Sequence, residues 1–261
     1  MKKILALVMA LIMVLTVFVG CSGKDDVADS KYVAEKGKLV VGITDFAPMD
    51  YKDANGNWIG FDADLAKAFA ESLDVDVEFV EINWDNKVME LDAKNIDCVW
   101  NGMTLTDEVK AAMSTSNPYF NNAQVVIVKK DEADKYKTAD DCKNLSFAVE
   151  AGSAGKDQAE ANGFTYTEVV DQATTLSEVK SGTSDAAIID FLMAISMTGE
   201  GTGYADLTYT AKLNSEEYGV GFRKNSDLTE KLNDFFKTAY ADGTMKEIAQ
   251  TYGIAEQLIA Q

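Results

Sequence analysis

The sequence predicts an α/β protein of two lobes, and three observations support this fold class. From residue 38 onward, short apolar runs typical of strands alternate with amphipathic helical patterns. Two such series of similar size are separated by the apolar run "AQVVIVKK" at residues 123–130. The chain has 261 residues, 47% of them apolar and 26% charged, which is enough for two modest domains.

The first 20 residues have the features of a secretory signal peptide. Lys2 and Lys3 precede an apolar run at residues 4–19 that only Thr16 interrupts. The run is shorter than the roughly 20 residues of a membrane-spanning helix, so an anchor helix is the weaker alternative. It ends in "VGC", which resembles the processing site of bacterial lipoproteins, and we expect Cys21 to carry the lipid. Residues 21–37 are small and charged, which predicts a flexible tether.

The first α/β series begins with a strand at "KLVVGI" and a helix at "GFDADLAKAFAESL". Asp62 is the expected N-cap of this helix, because Leu65 and Phe69 then share one apolar face. "DANGNWIGFDAD" has the start of a calcium loop, but its glycine is misplaced, so a hairpin turn is the better interpretation. "VDVEFVEI" and "IDCVWNGM" predict strands, "WDNKVMELDAKN" predicts a helix, and Thr106 or Asp107 is the expected N-cap of the next one.

The second series is "AQVVIVKK", "LSFAVEAGSAG" and "DAAIID", followed by the strand "YGVGF" and an amphipathic C-terminal helix. Sheets of this kind bind ligands at the carboxyl ends of their strands. Gly102, Gly152 and Asp190 each lie at or just beyond such an end, and they are the first candidates for a site.

Composition excludes several classes of function. The formal net charge of −19 is unfavourable for binding nucleic acid, and the sequence contains no histidine for Ser-His-Asp catalysis or His-containing zinc sites. Cys98 and Cys142 are far apart, so no redox dithiol or zinc ribbon is predicted. We expect neither a cofactor nor a metal.

Motifs along nearly the whole mature chain resemble the polar amino-acid solute-binding proteins of ABC importers, the bacterial extracellular solute-binding family 3. They include "KLVVGITDFAPMDY", "WNGMTLTDEV", "SNPY", "AVEAGSAG", "AAIID" and "EYGVGFRKNSDL". The resemblance implies a two-lobed, periplasmic-binding-protein-like fold of type II with two crossover strands, near "AQVVIVKK" and "EEYGVGFRK". Lobe I would then be residues 38–123 plus 221–261, and lobe II residues 124–220.

The resemblance also implies a set of ligand-binding residues. Phe46 and Trp84 would form aromatic walls, and the Gly102 carbonyl and Asp190 carboxylate would bind an α-ammonium group. Thr104 and backbone N–H groups at Ser153 and Ala154 would bind the α-carboxylate, because a carboxylate requires several converging donors.

Two positions depart from the family pattern. The arginine that grips the ligand carboxylate in the family is replaced by Val109, and Arg223, the chain's only arginine, lies on the returning crossover. Glu150 occupies a position that often meets the ligand side chain, although it could also face solvent. Two acidic groups without an arginine would favour a basic amino acid, a diamine or a ligand with a blocked carboxylate. Alternatively, Val109 packs while Thr104 and backbone donors hold the carboxylate.

The sequence therefore predicts an extracytoplasmic, lipid-anchored binding subunit without catalysis of its own. Its expected partners are an amino acid or amine, a permease and its ATPase, and we expect a monomer. One rival is an enzyme of the cyclohexadienyl dehydratase type, which shares the architecture but must recognise carboxylates. Another is a sensor that binds ligand without transport, which a neighbouring permease gene would distinguish.

Overall fold

Two β-sheets with helices packed against them form two lobes. The structure is a computed structural model, and it describes residues 28–261. The strands are β1 Lys38–Ile43, β2 Tyr51–Lys52, β3 Trp58–Ile59, β4 Asp76–Glu81, β5 Cys98–Thr104, β6 Ser114–Thr115, β7 Phe120–Asn122, β8 Gln124–Lys129, β9 Ser146–Glu150, β10 Thr165–Val169, β11 Ala186–Asp190, β12 Leu207–Lys212 and β13 Glu216–Phe222. The α-helices are α1 Asp29–Lys36, α2 Phe61–Ser72, α3 Lys87–Asp92, α4 Asp107–Ala112, α5 Ala154–Asn162, α6 Gln172–Ser181, α7 Phe191–Met197, α8 Leu228–Ala241 and α9 Thr244–Thr251.

The first sheet combines strands from both ends of the described chain. Its order is β4-β1-β5-β13-β6, and β7 also pairs with β13. β1 runs parallel to β4 and β5, whereas β13 runs antiparallel to β5. Phe69 of α2 contacts both Trp100 of β5 and Phe235 of α8, with ring centroids 6.1 and 5.4 Å apart. The C-terminal helices therefore share the core of the first lobe.

The second sheet has the order β10-β9-β11-β8-β12. β9 runs parallel to β10 and β11, and β8 runs antiparallel to both β11 and β12. Phe147 of β9 stacks on Phe164, which follows α5, in a separate apolar cluster of this lobe. The other face of this sheet is continuous with the core of the first lobe, since Val125, Ile127 and Ile189 belong to the same apolar cluster as Trp100. The ends of β5 and β11 and the turn after β9 border the space between the lobes.

The chain passes twice between the lobes. β7 lies in the first sheet, and β8, which begins two residues later, lies in the second. The return follows β12 at residues 213–215. The expected boundary at residues 220–221 is wrong, since it falls within β13, whose residues pair along β5 from Thr104 to Cys98. The two lobes and two crossings confirm the predicted α/β class.

The segment predicted as a flexible tether is in part a docked helix. Residues 29–36 form α1, and Val33 at its centre is 1% exposed in the core of the first lobe. The guanidinium of Arg223 donates to both carboxylate oxygens of Asp29 at 3.1 Å. The N–H of Ser30 donates to the Asp227 carboxylate at 2.9 Å. These contacts with the segment between β13 and α8 stabilise a helix that its charged composition does not predict.

Asp62 is not the N-cap of α2, because the helix begins after Gly60 and Asp62 lies inside it, fully buried. Its carboxylate accepts hydrogen bonds from the N–H of Gly102 at 2.6 Å and the Tyr119 hydroxyl at 2.8 Å. Burial raises the pKa of Asp62 to about 7. The side chain therefore holds the end of β5 in place, which is a structural role that helix periodicity alone does not reveal.

The hairpin prediction is confirmed, since β2 and β3 pair antiparallel around the turn that follows Asp53. Among residues 28–261, no helix is long and apolar enough to cross a membrane. The predicted signal peptide and Cys21 lie outside the described residues.

Candidate ligand-binding cleft

A polar cleft of ≈ 330 Å³ lies between the two lobes. The first lobe contributes the turn after β4, the end of β5 and the start of α4, and the second contributes the turn after β9, the start of α5 and the end of β11. Most of the predicted ligand-binding residues line it, namely Trp84, Gly102, Thr104, Val109, Ser153, Ala154 and Asp190. Two predicted residues, Phe46 and Glu150, do not line it. The site lies where strands of both sheets end, as expected for α/β folds.

Asp190 is the last residue of β11 and is 4% exposed. One carboxylate oxygen accepts hydrogen bonds from the amides of Asn122 and Gln124 and from the Tyr218 hydroxyl. The other accepts from the Gln172 amide. Burial, together with the nearby charge of Glu216, raises the pKa of Asp190 to about 7. The carboxylate is thus rigidly held but costly to ionise, so a cation beside it would be strongly favoured.

Thr104 belongs to the same hydrogen-bond network. Its hydroxyl donates to the Glu216 carboxylate at 3.0 Å, and that oxygen also accepts from the amides of Asn122 and Gln124. Since Asn122 and Gln124 flank the first crossing and Glu216 begins β13 after the second, the network joins both crossings to the cleft. Thr104 therefore already uses its hydroxyl proton within the protein.

Two positions on opposite sides of the cleft, Gly102 and Gly152, require glycine because neighbouring side chains lie too close for a Cβ. Gly102 has φ +53°, and a Cβ there would lie 2.5 Å from the ring of Phe46. Gly152 has φ +68°, and a Cβ there would lie 2.7 Å from the carboxylate of Asp85 on the other lobe. Both residues adopt a left-handed conformation that favours glycine. The contact between Gly152 and Asp85 shows how closely the two lobes approach.

Phe46 lies beneath the cleft. It is 2% exposed, contacts Gly102 from behind, and meets the Tyr218 ring edge-on with centroids 6.3 Å apart. Its aromatic character was visible in the sequence, but its position below the end of β5 depends on the packing of β13, which sequence patterns do not give.

The sequence left open whether Glu150 faces the cleft or solvent, and the structure buries it without placing it in the cleft lining. It is the last residue of β9, is 2% exposed, and burial together with the charges of Asp190 and Asp171 raises its pKa to about 8. The carboxyl group is therefore mainly protonated at neutral pH.

Val109 packs in an apolar cluster with Trp84, Met103 and Met113 while its surface lines the cleft. The hydroxyl of Thr106 caps α4 by accepting a hydrogen bond from the Val109 N–H at 3.1 Å, which confirms Thr106 as the N-cap. Arg223 lies elsewhere: its guanidinium donates to the carbonyl of Ile96 at 2.7 Å and pairs with Asp97. No arginine therefore lines the cleft in the described part of the chain.

Charged residues that the sequence analysis missed line the cleft. Four are acidic, and they come from both lobes: Asp85, Glu108, Asp157 and Glu160. Burial, followed by the charges of Glu108 and Glu160, raises the pKa of Asp157. Glu108 lies in the first turn of α4 of the first lobe and Asp157 lies on α5 of the second, so negative charge faces the cleft from both sides. Their spacing in sequence gives no signal of this convergence.

Two lysines that the sequence analysis missed, Lys87 and Lys156, also line the cleft, and Lys87 lies at the first position of α3. Its ammonium group donates to the carbonyl of Gly152 on the opposite lobe at 2.9 Å and to the Trp84 carbonyl at 3.2 Å. It also lies 4.8 Å from the centre of the Trp84 ring. Burial lowers the pKa of Lys87. The signal in the sequence was its position one turn after a cleft tryptophan, on a helix that the pattern had predicted.

No group of three or more acidic or cysteine side chains within residues 28–261 is arranged to hold a metal ion. What the cleft offers is a buried carboxylate, an aromatic wall, an ammonium group and a helix start between two lobes. Together with the double crossing, these features define a two-lobed protein that binds a small polar molecule between its lobes.

The chain belongs to the bacterial extracellular solute-binding proteins, family 3, whose model matches residues 39–255. It is 30% identical to the L-cystine-binding protein TcyJ of Escherichia coli (strain K12), covering 84% of each chain. The arginine-bound form of truncated ArgBP from T. maritima superimposes with a TM-score of 0.75 and 33% identity, covering 80% of this chain and 99% of that one. The ancestral amino acid-binding protein AncCDT-1, a precursor of cyclohexadienyl dehydratase, gives a TM-score of 0.78 and 32% identity, covering 85% and 98%. The predicted resemblance is confirmed.

Proposed function

We propose that this protein captures a cationic amino acid or a related amine in the cleft and delivers it to an ABC permease and its ATPase. The observation that carries the ligand class is the charge of the cleft lining, which contains five acidic side chains and two lysines. One of these lysines, Lys156, is already paired with Glu168 at 3.0 Å. Among the described residues, the cleft thus has one lysine without an ion-pair partner against five acidic side chains, which disfavours an acidic ligand, whereas a cation would relieve the repulsion between Glu108 and Asp157.

The α-ammonium group of the ligand would lie at Asp190 and at the carbonyl of Gly102, where the strand ends place two acceptors. Trp84, which is 7% exposed, would cover the aliphatic part of the ligand. The backbone N–H groups at Ser153 and Ala154, at the start of α5, would take part in binding the carboxylate, since the start of a helix favours negative charge. Thr104 would contribute only by exchanging its bond to Glu216 for one to the ligand.

The relatives are consistent with this proposal. An arginine-bound protein superimposes on this chain along most of its length, which favours a cationic ligand. TcyJ is named for binding cystine, whose two ammonium and two carboxylate groups leave no net charge, so this relative supports only the amino-acid class. We propose no catalytic step, although AncCDT-1 is a precursor of a dehydratase. Incubation with the ligand followed by analysis for products tests this, and turnover would contradict the transport function.

A thermal-shift screen tests the ligand class. Arginine, lysine, histidine, ornithine, agmatine, putrescine, cystine, glutamine and glutamate would each be added at the same concentrations. A ligand at 100 times its Kd stabilises the folded state by about 2.7 kcal/mol, which raises Tm by several degrees. We expect shifts with the cationic ligands and none with glutamate. A shift with glutamate alone would contradict the proposal.

We further propose that the mature chain begins at a lipidated Cys21, remains outside the cytoplasm at the membrane surface, and acts as a monomer. Cys21→Ala should release the protein from the membrane fraction and abolish labelling with a radioactive fatty acid. Retention of the variant in the membrane would contradict the anchor, and sedimentation of the soluble domain as a dimer would contradict the monomer.

A further inference from the structure

We propose that Lys87 is the cation that binds the ligand's α-carboxylate, in the role left open by Val109. This inference rests on the proposed function and narrows its ligand class to α-amino acids with a free carboxylate, as opposed to diamines. Lys87 would thereby be a specificity-determining residue of the cleft.

The contacts of Lys87 leave it available to an anion. Its ammonium group is half-buried in the cleft lining, and within residues 28–261 it forms no ion pair. Both of its hydrogen bonds go to neutral carbonyls, of Trp84 and Gly152, so one of its three N–H donors remains for a ligand. Burial lowers its pKa, while the charges of Glu150, Asp85, Glu108 and Asp157 act in the opposite direction without forming an ion pair, and a ligand carboxylate in direct contact would favour the charged form further.

Lys156 provides the contrast. It also lines the cleft, but its ammonium group lies 3.0 Å from the carboxylate of Glu168 in its own lobe. Its charge is therefore already matched. Lys87 is the cleft lysine that lacks such a partner among the described residues.

The position of Lys87 suits a carboxylate at one end of the ligand. Its ammonium group is 2.9 Å from the Gly152 carbonyl, directly before Ser153 and Ala154, which line the same cleft. The Ser153 N–H donates to the Glu150 carbonyl at 3.3 Å, so it would bind a ligand only by exchanging that bond. Asp190 also lines this cleft. An α-amino acid could thus place its ammonium group at Asp190 and its carboxylate between Lys87 and this turn.

Lys87 also bridges the two lobes, so a contribution to closure alone must be distinguished from recognition of the carboxylate. Loss of a closure contact would weaken every ligand to a similar extent. Loss of a carboxylate partner would weaken only ligands that carry the carboxylate.

The test uses calorimetry on the soluble domain with two matched pairs of ligands: arginine with agmatine, and glutamine with 4-aminobutanamide. Each amine lacks only the α-carboxylate of its partner. The variants are Lys87→Met, Lys87→Gln in case the first fails to fold, Lys87→Arg as the conservative change, and Lys156→Met as the matched control.

We expect wild type to prefer the amino acid of a pair, and Lys87→Met to lose roughly 30-fold or more of that affinity while the amine changes less than about threefold. Lys87→Arg should retain the preference for the carboxylate, and Lys156→Met should leave the ratio of the two affinities unchanged. An equal loss for both members of a pair, which leaves the ratio of their affinities unchanged, would overturn the proposal in favour of lobe closure.

The pairs also separate the two proposals. Equal wild-type binding of arginine and agmatine would overturn the role of Lys87 while leaving the cationic ligand class intact. Binding of glutamine, but not arginine, with a ratio that depends on Lys87 would overturn the cationic ligand class and support the role of Lys87. Absence of binding to all four ligands would overturn both.

Discussion

Asp190→Asn should remove ligand binding without destabilising the protein. In wild type the carboxylate accepts four hydrogen bonds, from Asn122, Gln124, Gln172 and Tyr218. The substitution keeps the shape of the side chain but removes the charge that we assign to the ligand's ammonium group. Opposite charges about 4 Å apart interact by about 4 kcal/mol at an effective dielectric of 20, so binding should weaken by roughly 1,000-fold.

The expected effect on stability follows from the pKa of the same group. Because burial raises the pKa of Asp190 from 3.8 to about 7, ionising this side chain costs about 4 kcal/mol more in the folded protein than in the unfolded chain, and at pH 8 the folded state bears that cost. The stabilisation that comes from keeping Asp190 protonated in the folded protein is fully present below pH 3.8 and is lost as the pH rises from 3.8 through 7. The asparagine amide replaces one acceptor by a donor, at a cost of about 1–3 kcal/mol. At pH 8 the variant should therefore be at least as stable as wild type.

Two measurements at pH 8 decide this prediction: calorimetry with arginine and denaturant unfolding without ligand. Asp185→Asn is the matched control, because Asp185 immediately precedes β11, at the end remote from the cleft, and should leave binding unchanged. Arginine affinity of Asp190→Asn within a few-fold of wild type would refute the reasoning. A loss of several kcal/mol of unfolding free energy would do so as well, since the binding defect would then be a folding defect.

Three further predictions follow from the geometry of the cleft. Gly152→Ala places a Cβ 2.7 Å from the Asp85 carboxylate and should weaken ligand binding. Gly163→Ala is the control, because Gly163 has a similar φ of +67° but no atom near its Cβ, and it should leave binding unchanged. Equal effects of the two variants in calorimetry would contradict a role of the contact between Gly152 and Asp85 in closure. The pKa of Glu150 is about 8 in the folded protein, so stability should fall as the pH rises from about 4.5 to 8, and Glu150→Gln should make the unfolding free energy less dependent on pH; an unchanged slope would contradict this. Val109→Arg should shift preference toward glutamine and glutamate in competition calorimetry, because it adds positive charge to a cleft that otherwise favours cations; an unchanged order of ligands would show that position 109 does not face them.

The order of strands and helices could be predicted because local patterns specify it. The alternation of apolar runs with amphipathic segments gave both lobes, and the ends of β5, β9 and β11 gave the place of the cleft. The boundary at residue 220 failed because strand pairing is non-local: "YGVGF" is apolar in either lobe, and only its pairing with β5 assigns it to the first.

The remaining errors concern buried charge. The charged segment at residues 29–36 becomes an ordered helix because Arg223, nearly 200 residues away in sequence, pairs with Asp29. Two charged residues of the cleft region were misjudged for a similar reason: Glu150, a candidate ligand-binding residue, is buried outside the cleft lining, and Lys87, which was not a candidate, lies in it. Whether a charged side chain is neutralised in the interior or faces a ligand depends on the groups that surround it, and those groups come from distant parts of the chain.

A crystal structure of the soluble domain with the cationic ligand selected by thermal shift tests the central claim most directly. The account predicts that the ligand lies in the cleft between the lobes, with its α-ammonium group within about 3 Å of the Asp190 carboxylate and its second cationic group toward Glu108 and Asp157. A ligand bound elsewhere, or one that directs a carboxylate toward Asp190, would contradict the account.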